Sequence, residues 1–390
     1  KIKNIMVSDG IIKSVSEKFD NEEKNIIDIA GKTVTYGFLD MHCHLRDPGF
    51  TYKEDINSGL RSATRGGYTS VMPMPNTDPV CDNPETVKYI LDKVKALKSV
   101  KVYPVCAVTE KLAGKNMTDF NQLKKAGAIA FSDDGQPVSS SEFSREAMIK
   151  ADEIGSFYIS HCEDKLLTKD GYVTKEAEES MLARECILSL NTGKRAHIAH
   201  VSTKTGVEII RLFKKLGAKI TAETCPHYFS FTKADIKNNT NFKMNPPLRD
   251  EEDRLAVING LKDGTIDVIS TDHAPHSVIE KAKQFCDAPN GIIGFETAFS
   301  AAFTYLVKTK HLTFEKLLQM MSLNPYKITG IAGGRIIENM PADFTVIDEN
   351  AEYIYNEKDI ISKSKNSPYI GMKLFGKVVM TIVNGEIIYK

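Results

Sequence analysis

Two histidines stand one residue apart at the end of an apolar run, in GFLDMHCHLRDPG at residues 37–49. His42 and His44 follow Asp40 and precede Arg46, although the 390 residues contain only nine histidines. The side chains of a strand alternate between its faces, so both imidazoles would point to the same side. Two imidazoles that converge in this way form half of a zinc site, whereas the alternative is a solvated or orienting pair.

Other polar and titratable residues also follow short apolar runs, at intervals along the chain. They are Asn76, Asp133, Asp134, His161, His200, Asp272 and His273. Three or four imidazoles with two carboxylates suit zinc, which takes nitrogen and carboxylate oxygen ligands. Two metal ions about 3.5–4 Å apart generate hydroxide near neutral pH and polarise a carbonyl. The set therefore predicts a hydrolase that attacks an amide or a similar bond.

Strand parity decides between neighbouring candidates, because residues an odd number of positions apart face opposite sides of a strand. His197 and His200 are three positions apart, and we select His200 as the ligand because it is nearer the strand end. His197 is then a structural residue. Parity also allows only one of Asp272 and His273 to face the metals, and we select Asp272.

Two further assignments need more than spacing. Asp133 and Asp134 are adjacent, and spacing alone leaves open which of them faces the site. His227, in TCPHYF, is either a ligand or a loop histidine, and we favour the loop. Cys43 and Cys162 lie beside ligand candidates, but their parity directs them away from the site, as small buried packing residues.

The elements that must position these residues follow an alternating pattern of strands and helices. Eight short apolar runs predict strands at 38–44, 69–75, 101–108, 128–134, 157–162, 195–202, 219–225 and 267–273. Helical patterns intervene, for example at 84–98, 142–153, 176–191 and 203–216. Such alternation is typical of an α/β protein, here a (β/α)8 TIM-type barrel. The carboxyl ends of barrel strands meet on one face, so the polar residues at those ends become neighbours.

The two ends of the chain carry the signals of a separate small sheet. Residues 2–15 read as a hairpin around Asp9-Gly10, and the stretches 342–348 and 376–390 read as further strands with a turn at Asn384-Gly385. We therefore predict a small β-sheet domain built from residues 1–36 and 341–390. The barrel domain is predicted to occupy residues 37–340.

Composition narrows the classes of function and the setting. Lys and Arg together number 51, as do Asp and Glu, and no basic stripe stands out, which argues against nucleic-acid and anionic-membrane partners. The seven cysteines are scattered and form no CxxC pair, which is typical of a reducing compartment. No charged-then-apolar leader and no apolar run of membrane-spanning length is seen. We expect a cytoplasmic protein.

Seven motifs connect the chain with a known family: DMHCHLRDPG, MPNTDPV, AFSDDG, SHCED, AHVSTKTG, NPPLRD and STDHAPH. They stand in the order found in that family, and the flanking β-sheet unit matches as well. The chain resembles the dihydroorotases of the bacterial type I class. These enzymes belong to the amidohydrolase superfamily of metal-dependent (β/α)8-barrel hydrolases.

The resemblance implies a site with two zinc ions (Zn²⁺) per subunit. His42, His44 and Asp272 would hold the first ion, and His161 and His200 the second. Asp134 would bridge the two ions, at a position where many relatives have a carboxylated lysine. Asp272 would also be the catalytic base and then the catalytic acid.

The resemblance also implies how the substrate is bound. Arg46, Asn76 and His276 would bind its carboxylate and the neighbouring groups, and His44 would contact it as well. Asn245 would contact the pyrimidine ring. The ring-side backbone contact would come from Asn290 and Gly291.

The reaction so implied is the reversible cyclisation of N-carbamoyl-L-aspartate to (S)-dihydroorotate, a step of de novo pyrimidine synthesis. One alternative is another cyclic-amide hydrolase, such as a hydantoinase or allantoinase, but these need no carboxylate clamp like Arg46. Another is a non-catalytic dihydroorotase-like subunit of an aspartate transcarbamoylase complex, although such proteins lose metal ligands. We expect a homodimer, with association to an aspartate transcarbamoylase as a further prediction.

Overall fold

A computed structural model describes residues 3–17, 25–29, 31–97, 99–169 and 172–390 of the chain. Its strands, β1 to β17 in chain order, are Asn4–Ser8, Ile11–Ser16, Thr33–Tyr36, Phe38–Cys43, Tyr68–Pro73, Lys101–Val102, Val105–Cys106, Ala130–Phe131, Tyr158–Ser160, Thr168–Lys169, Tyr172–Val173, Ala196–Ile198, Ile220–Thr224, Val268–Ile269, Phe344–Ile354, Lys373–Val383 and Glu386–Tyr389. The α-helices, α1 to α12, are Ile56–Arg65, Pro84–Leu97, Phe120–Ala126, Ser141–Glu153, Lys175–Thr192, Lys204–Lys215, Pro226–Ser230, Glu251–Asp263, Val278–Lys281, Ala298–Ala302, Phe314–Leu318 and Asn324–Thr329.

The central sheet is parallel and its strands follow one another in chain order. One part has the order β4-β5-β6 and the other β7-β8-β9-β12-β13-β14. Between β6 and β7 the Tyr103 N–H donates to Val71 O and Pro104 O accepts from Ile129 N–H, so the third predicted run stays bonded on both sides. A parallel bridge between Cys43 and His273 joins the last strand to the first.

These pairings confirm the (β/α)8 barrel, because all eight predicted runs contain a strand of the ring. The strands β4 and β5 are buried along their whole length, as expected for strands covered on both faces. The four predicted helical stretches are confirmed as α2, α4, α5 and α6. Threonines begin two of these helices, since the Thr174 and Thr203 hydroxyls accept from the N–H groups of Ala177 and Gly206.

The connection between β13 and β14 is the least regular of the barrel. It contains the short helix α7, two 3-10 turns at Lys233–Asp235 and Thr240–Phe242, and then α8. The N-cap of α8 is a capping box between Asp250 and Asp253. No helix among the described residues has the length and apolar character needed to cross a bilayer.

A sheet formed from both ends of the chain packs beside the barrel. Its order is β17-β16-β15-β3, all antiparallel, and β1 and β2 form a separate hairpin. Asn384 and Gly385 both have positive φ, at 48° and 78°, as a two-residue type I′ turn requires. Parts of the predicted terminal domain, at residues 1–2, 18–24 and 30, lie outside the described residues. Its boundaries stay a prediction.

The strand β16 connects this sheet to the barrel. Leu374 is fully buried and belongs to the same apolar core as Phe299 and Phe303, which lie on the helical segment after β14. Ile387, in the neighbouring edge strand, is 42% exposed. The sheet therefore shares an apolar core with the barrel.

We expect Leu374→Ala to lower the free energy of unfolding by about 2–5 kcal/mol, because it removes a fully buried side chain and leaves a cavity. The measurement is chemical denaturation, with the edge-strand variant Ile387→Ala as the matched control. The control should cost less than about 1 kcal/mol, since its side chain keeps much of its contact with water. Equal losses in the two variants would contradict the packing of β16 on the barrel.

Candidate active site

The predicted metal ligands from distant parts of the sequence lie together at the carboxyl ends of the barrel strands. His42 Nε2 lies 3.6 Å from Asp272 Oδ1, and His44 Nε2 lies 3.1 Å from the same oxygen. Asp134 adds its Oδ1 at 3.3 Å from His42 Nε2 and its Oδ2 at 3.6 Å from His44 Nε2. All four side chains are buried.

Two more histidines extend this group on the other side of Asp134. His161 Nδ1 lies 3.3 Å from Asp134 Oδ1 and 2.8 Å from His200 Nε2, which itself lies 4.0 Å from Asp134 Oδ1. One carboxylate thus stands between two sets of imidazoles. The structure brings all six predicted metal ligands together: His42, His44, Asp134, His161, His200 and Asp272.

Hydrogen bonds to the outer ring nitrogens fix which nitrogen faces the cluster. Glu223 Oε1 lies 2.7 Å from His42 Nδ1, and Glu163 Oε2 lies 3.0 Å from His161 Nε2. A carboxylate accepts the ring proton at that nitrogen and leaves the other nitrogen with a free lone pair. His44 is held in the same way, with Asn76 Oδ1 at 2.8 Å from its Nδ1.

This arrangement fits metal ions on chemical grounds. His42 Nε2 is buried and has no hydrogen-bond partner among the described residues. The ring nitrogens and carboxylate oxygens of the cluster turn their lone pairs toward one another, where hydrogen bonds would need protons. Burial lowers the pKa of His200 to about 3, so its imidazole is neutral, as a ligand must be.

Three of the site residues have a backbone conformation that non-glycine residues rarely adopt. The φ angles of Arg46, His200 and Asp272 are 60°, 33° and 45°. Each stands just past a barrel strand, where the chain leaves the sheet and turns its side chain into the cluster. Such strain persists when surrounding contacts enforce it and is common at functional sites.

The alternatives left by strand parity take other places in the structure. His197 contacts Thr221 Oγ1 at 2.8 Å through Nδ1 and Glu223 through Nε2. His273 is stacked on the Phe295 ring at a centroid distance of 4.1 Å and reaches Glu54. Neither histidine belongs to the cluster that contains His200 and Asp272.

The assignments that spacing left open also have definite positions. Asp133 accepts hydrogen bonds from the N–H groups of Val108 and Thr109, so Asp134 is the aspartate that faces the histidines. His227 is outside the cluster, but the prediction that it lies in a loop is wrong, because it lies in α7. Pro226 supplies the first turn of that helix, where its fixed φ and missing N–H are tolerated.

A group of cations and a neutral histidine lies beside the predicted metal ligands. Arg46 is half-buried, donates from Nε to Pro275 O at 3.2 Å, and has Nη2 at 3.3 Å from His276 Nε2. Lys53 Nζ lies 3.3 Å from the other ring nitrogen of His276. Burial, together with Arg46 and Lys53, lowers the pKa of His276 to about 2 and keeps the ring neutral.

The remaining predicted substrate contacts border the same space. Asn290 O lies 2.8 Å from His276 Nε2, and a Cβ on Gly291 would lie 2.7 Å from Ala274 O, so only glycine fits there. Asn245 donates its amide to Glu163 Oε2 at 2.9 Å, and Asn76 donates to Asp134 Oδ2 at 3.3 Å. These two amides therefore hold the carboxylates on the metal side of the site.

Sequence reasoning missed three residues that support the site. Glu223 stands inside a buried β-branched run, and a charged residue in such a run is a signal that could have found it. Glu163 is two residues past His161 and therefore on the same side of the chain. Asn366 gave no local signal: its amide donates to Ala274 O and Gly291 O, at 3.1 and 3.0 Å, from a segment near the end of the chain.

Comparisons with known proteins agree with this site. The sequence pattern of the family described as "Amidohydrolase family" matches residues 33–388. A dihydroorotase of Acetivibrio thermocellus is 48% identical over 404 residues, covering 100% of this chain and 95% of that protein. A dihydroorotase of Aquifex aeolicus is 44% identical, covering 99% and 94%.

Solved structures give the same fold. An L-hydantoinase (dihydropyrimidinase) from Arthrobacter aurescens superposes with a TM-score of 0.90 at 25% identity, covering 100% of this chain and 92% of that one. A D-hydantoinase has a TM-score of 0.87 at 21% identity, covering 100% and 92%, which speaks for the fold alone. With its barrel, its His and Asp cluster and these full-length similarities, the chain belongs to the amidohydrolase family and, within it, to the dihydroorotases.

Proposed function

We propose that this chain, a metal-dependent cyclic amide hydrolase, interconverts (S)-dihydroorotate and N-carbamoyl-L-aspartate on two zinc ions, in de novo pyrimidine (UMP) synthesis. The observation that carries the proposal is the position of the half-buried Arg46 guanidinium beside a group of six metal-ligand candidates. A hydrolytic site next to a fixed cation suits a cyclic amide that also carries a carboxylate.

The proposed ligands divide into two sets that share Asp134. His42, His44 and Asp272 would hold one zinc ion, and His161 and His200 the other. Zinc bound there supplies a Lewis acid for the ring carbonyl and lowers the pKa of a water molecule. Glu223 and Glu163 keep His42 and His161 in the tautomers that ligation requires.

Asp272 is the proposed general base and acid. In hydrolysis it takes the proton of the attacking water and passes it to the leaving ring nitrogen. In synthesis it begins protonated: the carbamoyl nitrogen attacks the side-chain carboxyl group of N-carbamoyl-L-aspartate and loses a proton, and a carboxyl oxygen leaves as water when its C–O bond breaks. Hydrolysis turns a neutral imide into a carboxylate and releases a proton, so acidic solution favours cyclisation.

Arg46, Asn76 and His276 are the proposed contacts for the substrate carboxylate and its neighbouring groups. The guanidinium can meet a carboxylate with two parallel hydrogen bonds, which fixes the ring relative to the metals. Asn245, Asn290 and Gly291 are proposed to border the ring, and His44 to contact the substrate from the metal side. Hydantoin and allantoin lack the carboxylate and would gain nothing from this clamp.

A non-catalytic role in an aspartate transcarbamoylase complex is less well supported, because every proposed ligand position is filled. A catalytically active enzyme can still associate with an aspartate transcarbamoylase. The homodimer, the transcarbamoylase association and the cytoplasmic location stay predictions.

We expect turnover of dihydroorotate that disappears after chelation and returns with added zinc. The assay measures zinc-replete turnover with hydantoin and allantoin as parallel substrates, and metal analysis should give about two zinc ions per chain. Turnover of hydantoin or allantoin in place of dihydroorotate would overturn the assignment of dihydroorotate as the substrate. No turnover of any ring by the protein with two bound zinc ions would favour the non-catalytic role.

Arg46→Lys should raise the KM for dihydroorotate by about tenfold or more, with bound zinc unchanged. Lysine keeps the charge but lacks the two parallel N–H donors of the guanidinium, so one hydrogen bond to the carboxylate is lost. A charge-assisted hydrogen bond is worth about 1.5–3 kcal/mol. Steady-state kinetics in both directions check this. An unchanged KM would remove Arg46 from the carboxylate contact.

Glu223→Gln should weaken zinc binding by roughly 10–100-fold, because the carboxylate that orients His42 is lost while the shape is kept. Competition with a chromogenic chelator measures this directly. Glu185→Gln is the matched control, since Glu185 is equally buried but accepts from Ser144, Ser160 and Arg184 and contacts none of the six ligand candidates. Equal zinc affinity in the two variants would contradict the role of Glu223.

A further inference from the structure

Lys281 is a buried cation that the proposed mechanism does not use. It ends α9 and is 6% exposed. Its ammonium donates to three backbone carbonyls: Lys243 O at 3.3 Å, Pro289 O at 3.1 Å and Gly291 O at 3.0 Å. The three N–H donors of the ammonium thus match three acceptors, and no carboxylate pairs with Lys281 among the described residues.

The carbonyls held by Lys281 belong to the wall of the carboxylate pocket. Asn290 lies between two of them, and its own carbonyl meets His276 Nε2 at 2.8 Å. Gly291 N–H donates to Lys243 O at 2.9 Å, so residues 289–291 are tied to residue 243 both directly and through the ammonium. The segment therefore lies between Lys281 on one side and His276 on the other.

The backbone of this wall depends on such contacts to keep its conformation. Gly291 has a φ of 137°, and its backbone lies so close to Ala274 that no side chain would fit. Asn366 makes the other attachment, donating to Gly291 O at 3.0 Å and to Ala274 O at 3.1 Å. The Gly291 carbonyl accordingly accepts from Lys281 and Asn366 together.

Burying an ammonium without a carboxylate partner is energetically unfavourable. Taking the charge out of water is unfavourable, and an apolar side chain of similar volume is often at least as stable at such a site. Burial, with Lys243 nearby, lowers the pKa of Lys281 to about 7. Packing alone does not account for a lysine here, whereas three well-placed donors do.

We propose that Lys281 is a positioning residue of the substrate site, which holds residues 289–291 against His276 and so sets the carboxylate pocket. The inference rests on the proposed function for its substrate. It assigns to Lys281 an effect on substrate binding and none on the metals or on the chemical step.

The test compares Lys281→Met with Lys243→Met in the full-length, zinc-loaded protein. The Lys243 ammonium also donates to two backbone carbonyls, of Phe285 and Cys286, but touches neither residues 289–291 nor His276. In Lys281→Met we expect the KM for dihydroorotate to rise by about tenfold, with kcat within about threefold and zinc content unchanged. Lys243→Met removes only the side chain and keeps the backbone carbonyl that accepts from Lys281 and Gly291 N–H, so this variant should stay within about twofold in all three.

Backbone hydrogen exchange gives a readout that does not depend on turnover. Exchange at residues 291–293 should become faster in Lys281→Met than in Lys243→Met. A KM within twofold of the unmodified protein, or equal exchange in both variants, would overturn the inference.

If Lys281→Met does not fold, Lys281→Gln, which keeps two donors without the charge, must show an intermediate KM. If the unmodified protein does not turn over dihydroorotate, the proposed function fails, and the exchange result still decides whether Lys281 holds the segment.

Discussion

Two backbone hydrogen bonds between the first and last barrel strands are the constraint on which the site depends. His44 N–H donates to His273 O at 2.8 Å, and Asp272 N–H donates to His42 O at 3.0 Å. They join parts of the chain about 230 residues apart and leave His42, His44 and Asp272 on one rim. Because the bonds come from the backbone, they fix the register of these side chains whatever the residues between them are.

Polar groups inside this barrel are arranged so that few charges lack a partner. Asp40 is fully buried and accepts from Thr271 N–H at 2.9 Å and also from its hydroxyl, next to the ligand candidate Asp272. Burial raises the pKa of Asp40 to about 7. In Glu223 the same effect is outweighed by His197 and His42, which hold its pKa well below the usual range. Asp40 and Glu223 are similarly buried, so the groups around each carboxylate decide whether it stays ionised.

Much of the fold and of the metal cluster could be predicted from the sequence, because period-two alternation and βα order are local signals. Parity separated His200 from His197 and Asp272 from His273, since a strand has only two faces. It did not choose between Asp133 and Asp134, because the choice depends on where the strand ends. Asn366 was beyond reach, since its partners, Ala274 and Gly291, are remote in sequence and its role depends on tertiary contacts.

The final part of the chain does more than complete the small sheet. Ser362 donates to Glu54, Ser364 donates to Lys53 O, and Asn366 accepts from His276 N–H, all on loops that follow barrel strands. Synthesis proceeds from the amino terminus, so these contacts form only after residues 362–366 have been made. The substrate pocket therefore gains these contacts only after all eight barrel strands have been made, and a chain ended before residue 362 would keep the ligand candidates without Ser362, Ser364 and Asn366 to hold the loops around them.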